Sequence, residues 1–396
     1  MIDPETLAFL DSDAGTALLD HLAEADLSEA AILPLLTRLR KRYPAAIAGA
    51  ALEQARLRRT AVSKFGAQAA HLFFTRDGLE QASDPLARAY RADRIGPGHL
   101  IDAACGLGAD GLTYAASGPD RRVTGIDRDP LRVAIAQVNA RRLGLDGRAV
   151  FLVGDVTVEL PLGDAIFFDP ARRDAAGRRL HHVEAYQPPL STVRRWRTRP
   201  LIVKLSPGVA LDQMAEYGGR LEFLSAGGDL KEALLWLEGD DTPLTRRAVL
   251  LRPDGPLSWD APAVEPEPVI SAPRGWLIEP DPALIRAGLV RPAGAAWGAA
   301  QLDETIAYLT ADVPPVTPWA RAWRIHDWLP FNLHRLRAAL RARGVGRVTV
   351  KQRGWSGTPE ALIRALKLSG GHEALVVVTR LRGDLIALIG DAQPLA

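Results

Sequence analysis

Residues 101–111 read IDAACGLGADG, and the fold turns on that run. The apolar residues from His99 that lead into it read as a short buried strand, and ADGLTYAASG after it has helical spacing. Gly106, Gly108 and Gly111 satisfy G-x-G-x-x-G, and Asp127 ends the next apolar run, RRVTGID, 19 residues after Gly108. Glycines in a strand-to-helix turn let a ligand approach the backbone, and an acid at the next strand end accepts from ribose hydroxyls. A glycine turn by itself also makes an ordinary strand-to-helix corner.

Outward from the loop the alternation continues. DPLRVAIAQVNARRLG reads as a helix, AVFLVGD and DAIFFD as strands, PPLSTVRRWR as a helix and PLIVKLS as a strand. This is the pattern of a parallel sheet with helices on both faces, over residues 96–252. RLEFLSAGGDLKEALLWLE holds two strands around Gly227-Gly228 with no room for a crossover helix, so those strands pair antiparallel. Residues 1–95 read as a helical region; Asp84 and Pro85 give its last helix a cap and a first turn, with Arg88, Arg91 and Arg94 on one face. Residues 253–275 are rich in proline and acid and read as a linker. Residues 276–396 form a further α/β unit, with helices expected near 282–289, 300–309 and 331–343, a strand RVTVKQ, a helix TPEALIRALKL and strands EALVVVTR and LIALIG.

Composition sets the class. The chain has 396 residues, 47% hydrophobic and 24% charged, as expected for a globular protein of two or three domains. Its apolar runs are too short to span a bilayer, and acids stand at the start where a signal peptide needs cations. Cys105 is the only cysteine, which excludes an intrachain disulfide and a cysteine-based zinc site. The expectation is a cytoplasmic protein without metal or membrane attachment.

The acids around the loop choose the ligand. Asp102 stands four residues before Gly106. A carboxylate there would repel a pyrophosphate, which disfavours a nicotinamide dinucleotide, and would attract the amino group and sulfonium of S-adenosylmethionine. Asp127, followed by Arg128, is placed for the ribose; Asp155 after the third strand is placed for an adenine amino group, with Val156 packing on the ring. Cys105, Gly106, Gly108 and Asp110 complete the candidate cofactor residues. At these positions the chain resembles the class I S-adenosylmethionine-dependent methyltransferases: DAACGLGAD is similar to their first motif, GID to the second, GD to the third and DPAR to the fourth. The resemblance implies a Rossmann-like seven-stranded sheet whose last strand is antiparallel. Cys105 stands where many members have glycine.

Residues 167–174, FFDPARRD, follow the fourth strand. Members of that superfamily that methylate amino nitrogens often carry Asp/Asn-Pro-Pro-aromatic here. A carboxylate accepting the amine hydrogen draws the nitrogen toward a nucleophilic geometry, and proline fixes the loop. Asp169 and Pro170 match; Ala171 and Arg172 depart, so the stacking aromatic is missing and Arg172 would stack through its guanidinium or hold a phosphate. RNA uridine C5-methyltransferases carry a similar Asp-Pro-Pro-Arg but need a cysteine nucleophile, and Cys105 belongs to the cofactor loop. Lys204 stands at the end of the fifth strand near the pocket, placed either to touch substrate or to cap the sheet. The arginines from Arg172 and Arg173 to Arg199 suggest phosphates nearby, or a solvated loop. His181 and His182 lack a third ligand for a metal.

Pieces in order, including ARAYRA, DPARR, KLSPG, GDLKEALLWL, LIEPDPALIRAGLV and VKQRGWSGTPEALIRALKLSG, resemble bacterial methyltransferases with a C-terminal THUMP-like domain, here about 320–393. That resemblance implies an RNA substrate by analogy. Residues 319–355 interleave Trp319, Trp323, Trp328, Phe331 and Trp355 with cations, among them Arg335, Arg337, Arg341, Lys351 and Arg353, a candidate RNA-binding set. The expected function is methylation of a base nitrogen in structured RNA, tRNA or rRNA. The alternatives are an RNA-binding adaptor with a silent methyltransferase fold, and a protein or small-molecule methyltransferase.

Overall fold

The computed structural model describes residues 2–158, 160–174, 176–239 and 242–395. The chain divides into two compact units: Met1–Leu224, Lys231–Leu244 and Leu251–Pro256 form the first; Ser225–Leu230, Thr245–Leu250 and Leu257–Ala396 form the second.

The first unit opens with helices α1 (Pro4–Asp11), α2 (Asp13–Ala23), α3 (Glu29–Leu39), α4 (Ala45–Phe65), α5 (Arg76–Gln81) and α6 (Pro85–Ile95). Their caps are local: Asp3 accepts from the Thr6 amide, Ser12 from Gly15, Thr75 from Gly78 and Asp84 from Leu86. Leucines of α1 and α2 and alanines of α4 share a core with Ile135 and Val138. There follow β1 (Gly98–Ala103), α7 (Ala109–Ala116), β2 (Arg121–Asp127), α8 (Pro130–Arg142), β3 (Ala149–Val153), β4 (Ala165–Phe168), β5 (Leu201–Leu205), β6 (Arg220–Ala226) and β7 (Asp229–Leu237); β8 (Thr245–Leu251) and β9 (Leu257–Asp260) fall in the second unit but for Leu251. Within the first unit the strand order is β3-β2-β1-β4-β5-β7-β6. These seven strands are the expected Rossmann-like set, parallel through β5, with β7 antiparallel to β5.

That order makes β1 and β4 neighbours while their connections leave in opposite directions. A ligand crevice opens at such a switch point, outside the strand C-termini. The register pairs Asp102 with Phe167 and Ala103 with Phe168, so the loop after β1 and Asp169 after β4 leave side by side.

The second unit adds β10 (Trp276–Pro280), α9 (Pro282–Arg286), α10 (Val290–Trp297), β11 (Ala300–Gln301), β12 (Leu309–Ala311), β13 (Ala320–Pro330), α11 (Leu333–Ala342), β14 (Val345–Gln352), α12 (Pro359–Leu366), β15 (His372–Leu381) and β16 (Asp384–Gly390). Its sheet runs β11-β12-β10-β13-β16-β15-β14. Strands β15 and β16 show period-two alternation: Val376, Val378, Ala387 and Ile389 pack on α11 and α12, while Leu375, Val377, Ile386 and Leu388 pack with Tyr308 and Trp323.

Three local expectations are corrected. Leu257–Asp260, inside the stretch read as linker, is β9, paired antiparallel with β8; Trp259 meets Trp297 and Trp319 edge-on. Residues 300–309 are not a helix: β11 and β12 flank a turn in which Asp303 accepts from the Thr305 amide and hydroxyl. PPLSTVRRWR forms a 3-10 helix, Leu190–Arg195, because it starts on two prolines and carries β-branched Thr192 and Val193, weak α-helix formers.

Candidate active site

The loop after β1 is built on two glycines with positive φ. Gly106 has φ +56°, and a Cβ there would meet nothing within 4 Å, so the backbone faces open space. Gly108, φ +75°, caps α7 in the left-handed region, and a Cβ there would lie 2.7 Å from the Phe151 ring. The Cys105 amide donates to the Ile126 carbonyl at 3.0 Å, tying the loop to β2.

Asp102 is buried, and its Oδ2 accepts from the Gly111 amide at 3.1 Å. Burial first, then the charges of Asp110 and Asp169, push its carboxyl well above the usual range. A buried acid beside two other acids is a receptor for a cation, which fits an ammonium or sulfonium and repels a pyrophosphate. Asp127, also buried, accepts from the Gly106 amide through Oδ2 and from the Asp129 amide through Oδ1, each at 2.9 Å. Each oxygen has capacity left for a hydroxyl donor. Asp155 is exposed after β3; its Oδ1 accepts from the Thr157 hydroxyl (2.7 Å) and amide (2.8 Å). Those hydrogen bonds, with a smaller contribution from the Arg128 charge, hold it below the ordinary carboxylate range. Val156 beside it is buried. Burial, then Asp102 and Asp127, push the Cys105 thiol well above its ordinary value. A thiol held protonated is no nucleophile.

Asp110, expected on the cofactor, is engaged elsewhere. It pairs with Arg91 of α6, which also pairs with Glu232 of β7 and lies over the Phe167 ring. Burial alone would raise the Asp110 carboxyl, but Arg91, Lys204 and Arg88 outweigh it and hold it below its ordinary value. The sequence placed Arg91 on a helix face without naming its partners, because they lie 19 and 141 residues away. The triad clamps α7, and so the glycine loop, to α6 and the sheet.

At the end of β4, the Asp169 amide donates to the Ala103 carbonyl (3.2 Å) and Pro170 is buried behind it. Lys204, buried on β5, donates from Nζ to Asp169 Oδ2 at 2.5 Å. Asp169 Oδ1 has no hydrogen-bond partner among the described residues. Arg172 donates to the Leu205 carbonyl (3.2 Å), tying the loop to the end of β5. Arg173 is exposed and donates to the Gly177 carbonyl; Arg178 pairs with Asp174, Arg194 with Glu216, and Arg195 donates to the Thr157 carbonyl. His181 and His182 are exposed; no group of three His, Cys, Asp or Glu among the described residues is placed for a metal ion.

In the second unit Arg337, Arg341, Lys351 and Arg353, four of the cations expected on RNA, have internal acceptors. Lys351 pairs with Glu279 (2.6 Å) and lies over the Trp323 ring; Arg353 reaches Glu279 at 3.8 Å and lies over Tyr308. Arg337 and Arg341 donate to the Ala365 and Lys367 carbonyls at the end of α12. Arg335 is exposed and makes no such bond among the described residues. Trp319 and Trp323 are buried, Phe331 packs on Trp355, and Trp328 is exposed. The segment is therefore not one free cationic face.

Comparison with known proteins accords with this geometry. A methyltransferase domain family matches residues 98–199, a THUMP domain-like family residues 320–392, and a domain family of unknown function residues 3–61. An uncharacterized S-adenosylmethionine-dependent methyltransferase of Mycobacterium tuberculosis (strain ATCC 25618 / H37Rv) is 36% identical over 341 residues, covering 83% of this chain and 92% of that protein. An uncharacterized RNA methyltransferase of Streptococcus pyogenes serotype M1 is 32% identical over 96 residues, 23% of this chain and 21% of that one. The crystal structure of a Porphyromonas gingivalis W83 protein described as a methyltransferase superposes with a TM-score of 0.71 at 20% identity, over 93% of this chain and all of that one. The chain belongs to the class I S-adenosylmethionine-dependent methyltransferases that carry a C-terminal THUMP-like domain.

Proposed function

We propose that the enzyme methylates a base nitrogen in structured RNA, tRNA or rRNA, in the cytoplasm. The observation that carries this is the Asp169–Lys204 pair at the end of β4, with Pro170 behind it and one carboxylate oxygen left without a partner.

Gly106, Gly108, Asp102, Asp127, Asp155 and Val156 would hold S-adenosylmethionine, which supplies a methyl group on a sulfonium. Asp102 would take the amino group, the Gly106 backbone would line the cradle, Asp127 would accept from the ribose hydroxyls, and Asp155 and Val156 would meet the adenine. The target amine donates to Asp169 Oδ1. Lys204 holds Oδ2 and so fixes the direction of the free lone pair. As the amine nitrogen accepts the methyl group the cofactor would supply, its proton would move toward Asp169 Oδ1 and leave to water. The acceleration comes from placing an in-line attack and stabilising developing positive charge on nitrogen. Arg172 and Arg173 at the same lip would take phosphate or stack on a base.

RNA as the substrate class is supported by the exposed arginines around this mouth, by the THUMP-like match, and by the name of the streptococcal relative. The test is transfer of labelled methyl groups from S-adenosylmethionine by the full chain to total RNA from a strain lacking the protein, beside RNase-treated extract. Label in RNA alone supports the reading; label in protein or small molecules alone replaces it, and no label in any pool favours a silent adaptor.

A further inference from the structure

A groove lies between α3, α4 and α5, with a volume of about 610 Å³. That is within the range of small-ligand sites. Its apolar lining comes from Leu36, Leu52, Leu57 and Leu79. Arg56 and Arg76 stand on it, both exposed, and neither guanidinium has a hydrogen bond or ion pair among the described residues. Thr60, Ser63 and Glu80 also line it. An apolar floor with uncommitted guanidinium groups suits a flat ring next to an anion, and the Glu80 carboxylate suits an amino donor on the ring edge.

The groove's position ties it to the candidate active site. The α5 wall that lines it through Arg76, Leu79 and Glu80 meets the cofactor loop on its other side, where a Cβ on Gly78 would lie 2.3 Å from Leu107 Cδ1. At the groove's end, Lys64 Nζ donates to the carbonyls of Leu79 (2.8 Å) and Ala82 (2.7 Å), closing the last turn of α5. Burial first, then the nearby charge of Arg88, holds Lys64 below its ordinary value.

We infer that this groove receives a nucleotide of the RNA substrate flanking the methylated base, its base on the leucine floor and its phosphate on Arg56 or Arg76. This rests on the RNA reading above and adds a residue-level subsite in the N-terminal helical region. The groove can be filled without disturbing the core: Gly49 of α4 lines it, and a Cβ there meets nothing within 4 Å. In the full chain, Gly49→Trp should block the floor, and Arg56→Ala with Arg76→Ala should remove the anion contacts. The probe is total RNA from a strain lacking the protein, with binding, methylation kinetics, S-adenosylhomocysteine affinity and Tm measured together. Each variant should bind RNA about tenfold more weakly and raise KM for RNA, with kcat, S-adenosylhomocysteine affinity and Tm near wild type. If the wild type binds and methylates RNA and the arginine variant matches it in affinity and KM, the groove proposal is overturned and the RNA reading stands. A variant that loses S-adenosylhomocysteine affinity or Tm in step with RNA binding also overturns it, because the groove is then structural. If the wild type neither binds nor methylates RNA, the RNA reading fails and this inference with it. Should Gly49→Trp fail to fold, the arginine pair decides.

Discussion

At the end of β4, a buried lysine and a half-buried aspartate are joined so that one carboxylate oxygen has no partner among the described residues. In residues 319–355 of the second unit, Lys351, Arg353, Arg337, Arg341, Arg343 and Arg347 each have an acceptor within the unit, and Arg335 does not. Both stretches read in sequence as cations beside aromatics or acids. The difference is in what is left over. A pair that leaves a lone pair aimed outward has capacity for a substrate; a cation held by its own carboxylate or helix carbonyl has already used its strongest bond.

The largest expected effect comes from the first region. Asp169→Asn removes the acceptor for the amine hydrogen and should lower kcat by about 10²–10⁴, with S-adenosylhomocysteine affinity near wild type by calorimetry. Turnover within a few-fold of wild type would reduce Asp169 to a loop anchor. Asp127→Ala should weaken S-adenosylhomocysteine binding by about 10- to 100-fold, from loss of bonds worth about 1.5–3 kcal/mol; unchanged binding would move the ribose elsewhere. Lys204→Met should destabilise the protein by about 3 kcal/mol, the low end for a broken buried pair, because the Asp169 side chain stays 25% exposed. A neutral effect in chemical denaturation would mean that water replaces the ammonium.

Asp102 gives a pH signature. Its native carboxyl is pushed above the unfolded value by burial and two acids, so the folded state holds its proton longer. That contribution to stability is full below the unfolded pKa and is lost as pH rises through the raised native value. The ligand-free wild type should therefore lose Tm relative to Asp102→Asn over that rise, and the two curves should stay parallel if the carboxyl titrates normally.

The smallest effects belong to the second region. Arg335→Ala should leave Tm unchanged. Adding Arg337→Ala and Arg341→Ala should cost about 1–2 kcal/mol, because two helix carbonyls lose charged donors. If the triple variant keeps full stability and sharply flattens the salt dependence of RNA binding, those arginines serve RNA after all.

What the sequence made legible was local. The glycine loop, Asp127 at the next strand end and Asp169-Pro170 after β4 are short motifs, and period-two and helical spacing placed β1 to β7, α11 and α12. What it hid depends on long-range partners. Asp110 faces Arg91 because α6 packs on α7, and Lys351 faces Glu279 across the second sheet, 72 residues apart. Charge spacing says which residues share a face, not which acid the fold brings to that face. The helix expected at 300–309 failed for the same reason, since its apolar residues Leu302, Ile306 and Leu309 are buried by a turn and two short strands.

The central claim is that the lip of β4 methylates RNA at a base nitrogen. Nucleoside mass spectrometry of tRNA and rRNA tests it directly, comparing a strain lacking the protein with the same strain carrying the wild type or Asp169→Asn. The account predicts one N-methylated nucleoside that is absent in the deletion, restored by the wild type and not restored by Asp169→Asn. Identical nucleoside profiles in all three strains, or a lost methyl group on carbon or ribose oxygen, would contradict it.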